Sequence, residues 1–278
     1  MVIEVTVQRA LRRSGYLLLE ACAALSGRRD FIPPSWLPLS GDGDFKGVGI
    51  GFFRYFVELG KLKPDDHVLD VGCGLGRMAL PLTAYLDPGR GRYTGFDVDR
   101  RAIRWCQQRI SPDHGNFEFQ HADVLNRAYN PHGRLDGATY RFPYGEASFD
   151  FVISASVFTH MLPGEVENYL SEIARVLRPG GRSLMTFFLL NHQSIPLLDA
   201  GRSKLALVYK FEDYRLLNPK LPEKGVAHDE RIIRNSCSAH GLNIVEPIHY
   251  GSWCGRDQYL SFQDIALVTI QSSVHDAT

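Results

Sequence analysis

Neither sign of charge is in excess in this chain. It has 31 Lys and Arg residues against 31 Asp and Glu, a formal net charge of zero over 278 residues. That balance gives no bulk attraction to nucleic acid or to an anionic membrane. Paired cysteines are missing too. Cys22, Cys73, Cys106, Cys237 and Cys254 make no CxxC pair and no metal-ligand spacing. An odd, scattered set reads as the reduced thiols of a cytoplasmic protein. No apolar run reaches the length of a membrane span, so stable membrane insertion is not expected. Arg12-Arg13 precedes the apolar Tyr16-Leu17-Leu18-Leu19, but Glu20 interrupts that segment and no small-residue cleavage site follows, so it is not read as a leader. Internal repeats, low-complexity tracts and charge blocks are absent. What remains, 44% hydrophobic and 22% charged residues, suits one large globular domain with a substantial core.

The stretch His67 to Met78 organises that domain. Val68-Leu69-Asp70-Val71 is a short apolar run of the kind that forms a buried parallel strand. Gly72, Gly74 and Gly76 follow at alternate positions, and Met78 to Leu86 is apolar and helix-forming. The order is strand, glycine-rich turn, helix. Such a turn lets a ligand approach the main chain, and the helix it opens favours an anionic group. A dinucleotide site has the spacing G-x-G-x-x-G. Here it is G-x-G-x-G, and Asp70 just before the turn would repel a pyrophosphate while suiting a cationic amino group.

The rest of the chain alternates strand and helix. Residues 3–26 read as an amphipathic helix, either a lid or an oligomer contact that would make a homodimer. A loop with Phe31 and Trp36 follows, then a helix over Gly47 to Leu59. Further strands are expected at Gly91 to Asp97, Phe117 to His121, Phe149 to Ala155, Arg182 to Leu190, Asn243 to Tyr250 and Gln258 to Ile270. Helices are expected at Arg100 to Ile110, Pro163 to Leu177 and His228 to His240, the second stopped by Arg178-Pro179-Gly180-Gly181. Asp99 is the natural cap of the first of these. The polar stretches 126–146 and 191–225 read as insertions without a clear period. The pattern predicts an α/β fold: a mainly parallel seven-stranded sheet with helices on both faces, ending in an antiparallel hairpin. Residues 1–46 would form a helical extension and loop, and 47–278 the main domain.

The turn, with Asp97, Asp123, the segment Ile153 to His160 and Arg175-Val176-Leu177-Arg178-Pro179-Gly180-Gly181 in the right order, resembles the class I S-adenosylmethionine (SAM) methyltransferases, with their Rossmann-like fold. The resemblance covers about residues 50–190 and the terminal hairpin. It implies that Asp70, Gly72, Cys73, Gly74, Gly76 and Arg77 of the first motif hold SAM, with Cys73 there as a small residue rather than a nucleophile. Asp97 would accept from both ribose hydroxyls, with Val98 beside it, and Asp123 would receive the adenine amino group while the Val124 N–H meets the ring. Ser154 and Ala155 would flank the methionine part.

Methyl transfer to a hydroxyl also needs a general base. His160, just past the fourth strand, and His249, at the end of the penultimate one, are the candidates. Gly41 to Phe45, Tyr140 to Tyr144 and Gly251 to Arg256 are similar to runs in bacterial methyltransferases of polysaccharide and glycolipid synthesis, which implies a small-molecule, saccharide acceptor. Trp36, Tyr140, Tyr144 and Trp253 would then stack on sugar faces. Some sugar methyltransferases use Mg²⁺, for which Asp150, Glu165 and Glu246 are the available carboxylates, though no compact ligand motif supports a metal. A lipid, quinone or amine acceptor, an NAD(P) oxidoreductase and a non-catalytic SAM-binding protein are the other readings. The glycine spacing and Asp70 count against the oxidoreductase.

Overall fold

The computed structural model describes Pro33 and residues 44–270. The amphipathic helix expected at 3–26, Trp36 and most of the Gly41 to Phe45 run lie outside the described residues.

The alternating pattern becomes β1 (His67–Val71), β2 (Arg92–Asp97), β3 (Phe117–His121), β4 (Phe149–Ser154) and β5 (Leu177–Phe187), with β10 (Leu242–His249) and β11 (Asp264–Ile270) at the end. They form one sheet in the order β3-β2-β1-β4-β5-β11-β10. The first five strands run parallel, and β11 is antiparallel to both β5 and β10. Before β1 comes α1 (Phe45–Glu58); α2 (Ala79–Tyr85), α3 (Arg100–Arg109) and α4 (Pro163–Val176) connect the parallel strands, and α6 (Glu230–Ala239) precedes the hairpin.

Side-chain alternation along the strands divides the core into two layers. Val68, Tyr93, Phe151 and Ile153 pack with Phe56, Leu82 and Ile103 from α1, α2 and α3. Leu69, Val71, Phe96 and Val152 pack with Tyr169, Ile173 and Ile233 from α4 and α6. β3 is one edge of the sheet. Gln107 Nε2 of α3 and Ser111 Oγ just beyond it donate to its Phe119 and Phe117 carbonyls at 2.9 Å each, which leaves fewer acceptors for another strand.

Two expectations change. First, α4 ends at Val176 and β5 begins at once, so Pro179, Gly180 and Gly181 lie within the strand rather than before it. They sit in a register shift: Phe149 pairs with Leu177 but Phe151 with Arg182, and Gly180 takes φ +76° to allow it. Second, the insertion 191–225 is structured. It holds α5 (Ser194–Asp199), β7 (Tyr209–Lys210) and β8 (Tyr214–Leu216). With β6 (Leu189–Leu190) and β9 (Val226–Asp229) these strands form a second sheet in the order β6-β9-β8-β7. Strands of two to four residues are too short to show a period of two. The insertion 126–146 contains no helix or named strand. Instead Glu172 accepts from the Phe142 N–H at 2.7 Å, and Arg175 donates to the Tyr144 and Phe142 carbonyls.

Asp264 joins the two sheets. It has no exposed surface. It accepts from the Leu189 N–H at 2.7 Å, the Gly251 N–H at 2.6 Å, Trp253 Nε1 at 2.8 Å and Arg256 Nη1 at 3.2 Å. No helix among the described residues is long and apolar enough to cross a membrane. Asp264→Ala leaves a buried guanidinium and three N–H donors without their acceptor, and is expected to cost about 3–5 kcal/mol in urea unfolding at neutral pH. A loss below about 1 kcal/mol would show that this junction does not hold the sheets together.

Candidate active site

The turn after β1 is clasped to β2. The Gly72 and Cys73 N–H groups both donate to the Phe96 carbonyl, at 2.8 and 3.0 Å, and the Gly74 N–H donates to Asp97 Oδ2 at 2.8 Å. Gly72, Gly74 and Gly76 all have left-handed φ, +72°, +52° and +77°. They serve different ends. A Cβ on Gly74 would meet nothing nearer than Asp97 Oδ2 at 4.0 Å, so the space before it is open to a ligand. A Cβ on Gly76 would lie 2.7 Å from Ile110 Cδ1 and 3.2 Å from Cys106 Sγ, so this glycine lets α3 pack under the turn.

A cavity opens over the carboxyl ends of β1, β2 and β4. Its wall takes in Asp70, Gly72, Cys73, Gly74, Arg77, Asp97, Val98, Ala155 and His160 from the residues expected in the site. Gly76, Asp123, Val124, Ser154 and His249 are not part of that wall. Phe45, Met78, Asn126, Tyr129, Ser156, Val157, Met161 and Tyr169 join it without having been expected. Sequence periodicity places Tyr169 on the core face of α4 but carries no signal of which cavity that face meets. Nothing in the run Asn126 to Tyr129 marks it as folding back over the sheet.

Asp70 and Asp97 set the electrostatics. Asp70 is 1% exposed and accepts from the Tyr93 hydroxyl at 2.6 Å. Burial raises its pKa from 3.8 to about 7; the Tyr93 bond opposes the rise and neighbouring Asp97 adds to it. Burial likewise raises Asp97 to about 6, against the N–H bonds it accepts from Asp99 and Gly74. Neither carboxylate forms an ion pair with a Lys, Arg or His among the described residues. Asp99 caps α3, accepting from the Arg101 N–H at 2.8 Å.

On the β3 side, Asp123 is turned to Arg134, whose Nε donates to it at 2.6 Å. Val124 is buried and bridges to Leu135. On the β4 side, Ser154 is fully buried behind the wall. Ala155 and Ser156 reach the wall instead, Ser156 with φ +61°. That strained backbone is held by three bonds. The Ser156 N–H donates to Thr186 Oγ1 at 2.7 Å, and the Ser156 and Thr186 hydroxyls donate to Gln263 Oε1 at 3.0 and 2.5 Å.

His160 ends a short 3-10 turn, Phe158–His160. Its Nδ1 lies 2.7 Å from the Glu223 carbonyl oxygen, which can only accept, so Nδ1 carries the proton and the Nε2 lone pair is free. Burial pushes its pKa below the ordinary 6.5, so the ring is neutral at neutral pH. Tyr129 packs edge-on against it, 6.0 Å between ring centres, and the Arg127 N–H donates to Glu223 Oε1 at 3.1 Å. Both insertions therefore meet at this histidine. His249 pairs with Ile265 on the edge strand β10, away from the wall.

Three side-chain expectations are corrected. Trp253 has no exposed surface and donates to Asp264, so it presents no face to a sugar, and half-buried Tyr140 packs on Phe96 and Phe142. Tyr144 packs against Phe149 and donates to Gln120. The carboxylates considered for Mg²⁺ do not converge. Asp150, at the amino end of β4, accepts from the His67 N–H and Arg178; Glu165 caps α4 through the Leu162 N–H; Glu246 pairs with Arg234. No group of three or more His, Cys, Asp or Glu suited to a metal occurs among the described residues.

Residues 68–181 match the family model described as a methyltransferase domain. The phthiotriol/phenolphthiotriol dimycocerosates methyltransferase 1 of Mycobacterium ulcerans is 34% identical over 120 residues, 43% of this chain and 36% of that one. The fatty-acid O-methyltransferase of Mycolicibacterium smegmatis is 29% identical over 154 residues, 55% of this chain and 48% of that one. The chain thus spans less than half the length of these curated relatives. Among solved structures, magnesium protoporphyrin IX methyltransferase from Synechocystis PCC 6803 with bound S-adenosylhomocysteine (SAH) is similar at a TM-score of 0.51. It shares 18% identity, over 83% of this chain and 90% of that one. That likeness is one of fold.

The two glycine roles separate by measurement. Gly76→Val adds a side chain at positive φ into α3 and is expected to cost about 2–5 kcal/mol of stability. Gly74→Ala meets no neighbour and should cost only about 1–2 kcal/mol. Equal losses in denaturant titrations would contradict the assignment.

Proposed function

We propose that this chain, whose residues 68–181 are a methyltransferase domain of the class I SAM-dependent kind, binds SAM in the cavity over β1, β2 and β4 and methylates a small molecule there. The observation that carries the reading is the pair of carboxylates on the cavity wall, Asp70 buried and Asp97 half-buried, neither of them in an ion pair among the described residues. Such a pair is stabilised by a cationic ligand, and would repel a pyrophosphate. The residues present fit SAM: open space before Gly74 admits a ligand close to the main chain, and Asp97 retains lone pairs for hydroxyl donors beyond the two N–H bonds it accepts.

SAM, when bound, supplies an electrophilic methyl group next to a positive sulfur. The chain's part is to orient, to exclude water and to take a proton. Asp70 faces the cationic end of the ligand. His160, with its lone pair fixed on Nε2, is the base that takes the proton of an acceptor hydroxyl. For the acceptor, the ring face of Trp253 that a saccharide would stack on is buried, whereas Phe45, Tyr129, Val157, Met161 and Tyr169 make an apolar wall. This favours a hydroxyl-bearing, lipid-like acceptor over a sugar, in keeping with the relatives named for fatty-acid and phthiotriol substrates. A screen with radiolabelled SAM against hydroxylated lipids and oligosaccharides tests it, and transfer to saccharides alone would reverse the preference.

The carboxylates make binding pH-dependent. Their raised pKa values stabilise the ligand-free fold fully below the unfolded value of 3.8, and that contribution is lost as pH rises through about 6 for Asp97 and about 7 for Asp70. The ligand's ammonium group, which SAH shares with SAM, favours both ionised. SAH affinity should therefore fall by roughly ten-fold or more between about pH 8 and about pH 5.5. Calorimetry giving a flat profile would remove the cation from the account. For the base, His160→Ala should lower turnover by about a hundred-fold or more while SAH affinity stays nearly unchanged. His249→Ala should leave turnover intact; the reverse pattern would put the base on the terminal hairpin.

A further inference from the structure

Past Asp97 the cavity continues along Val98, Asp99 and Ala102, toward the chain that leaves β3. A ligand whose ribose lies at Asp97 extends its base in that direction. Two side chains of opposite chemistry stand there. Asp123, two residues beyond β3, is off the wall, its carboxylate accepting from Arg134 Nε at 2.6 Å and Asn130 Nδ2 at 3.5 Å. Asn126 is on the wall. Its main chain is spent on Asn130, donating to that carbonyl at 3.1 Å and accepting from that N–H at 2.8 Å. Its Oδ1 accepts from the Ala128 and Tyr129 N–H groups, both at 3.0 Å. Those two donors settle which end of the amide is oxygen. Nδ2 therefore carries two N–H groups that no hydrogen bond among the described residues takes.

A carboxylate recognises an exocyclic amine, whereas an amide N–H recognises acceptors. The edge of adenine offers both, an amino donor and ring-nitrogen acceptors. We infer that the base of the cofactor is read by the Asn126 amide N–H, with Asp123 withdrawn into its pair with Arg134. The inference rests on the SAM reading of the site, and it reverses the role that the family resemblance implies for Asp123.

Titration calorimetry with SAH and with its 6-deamino analogue, which carries unsubstituted purine, tests it. Purine lacks the amino donor and keeps the ring-nitrogen acceptors. An N–H reader keeps its acceptor, so the two ligands should bind the parent chain within roughly three-fold of each other. A carboxylate reader loses its donor, and should reject the 6-deamino analogue by more than roughly ten-fold. The ligand ratio needs no variant. Asn126→Asp then keeps the acceptor that organises the turn but replaces both N–H donors. It should weaken SAH by roughly ten-fold with an unchanged thermal midpoint, while Asp123→Asn stays within roughly two-fold of the parent. Rejection of the 6-deamino analogue, or a loss at Asp123→Asn with none at Asn126→Asp, overturns the inference while the SAM reading stands. A parent chain that binds no SAH overturns both.

Discussion

Two neighbouring carboxylates on adjacent central strands, Asp70 buried and Asp97 half-buried, are the constraint on which the site depends. Asp70 sits on β1, the strand flanked by β2 and β4, and Asp97 ends β2. Taking an ionised carboxylate out of water costs several kcal/mol unless a partner compensates it. Among the described residues these two are compensated by neutral donors: the Tyr93 hydroxyl for Asp70, and the Gly74 and Asp99 N–H groups for Asp97. The pKa values of about 7 and about 6 express what is left uncompensated. A cation arriving in the cavity meets a site already arranged for it, and the arrangement is rigid because β1 and β2 pair along their length.

Around that fixed centre the chain places its less regular parts. The stretch after β3 contributes Asn126 and Tyr129, and the second insertion contributes Glu223. They meet at His160, whose tautomer is set by a carbonyl from a segment some sixty residues away in sequence. Asp264 ties the second sheet to the hairpin, and Gln263 beside it holds Ser156 in its left-handed conformation. Both insertions thus act on the parallel sheet from its carboxyl edge, where ligands of open α/β sheets bind.

Much of this was legible in the residues. β1 to β4, α3 and β10 fall within one or two residues of where period and punctuation place them, because long apolar runs bounded by Gly, Pro and Asp leave few alternatives, whereas β11 starts only at Asp264 and not at Gln258. The glycine spacing and Asp70 likewise pointed to a cationic ligand. The second sheet was not legible, since its strands are two to four residues long and β6 pairs with a partner, β9, distant in sequence. The fates of Asp123, Ser154, Trp253 and Tyr140 were not legible for a related reason. Residue type and position state what a side chain is able to do, but whether Asp123 faces a ligand or Arg134 depends on a loop whose path no local pattern encodes.

The central claim is that a cationic ligand seats against carboxylates that are partly protonated without it. Titration of SAH near pH 6.5, by calorimetry in two buffers of different ionisation enthalpy, counts the protons exchanged on binding. At that pH Asp70, titrating at about 7, is mostly protonated and must ionise. The account predicts release of close to one proton per SAH bound. Tight binding with no proton exchange, or with proton uptake, would contradict it.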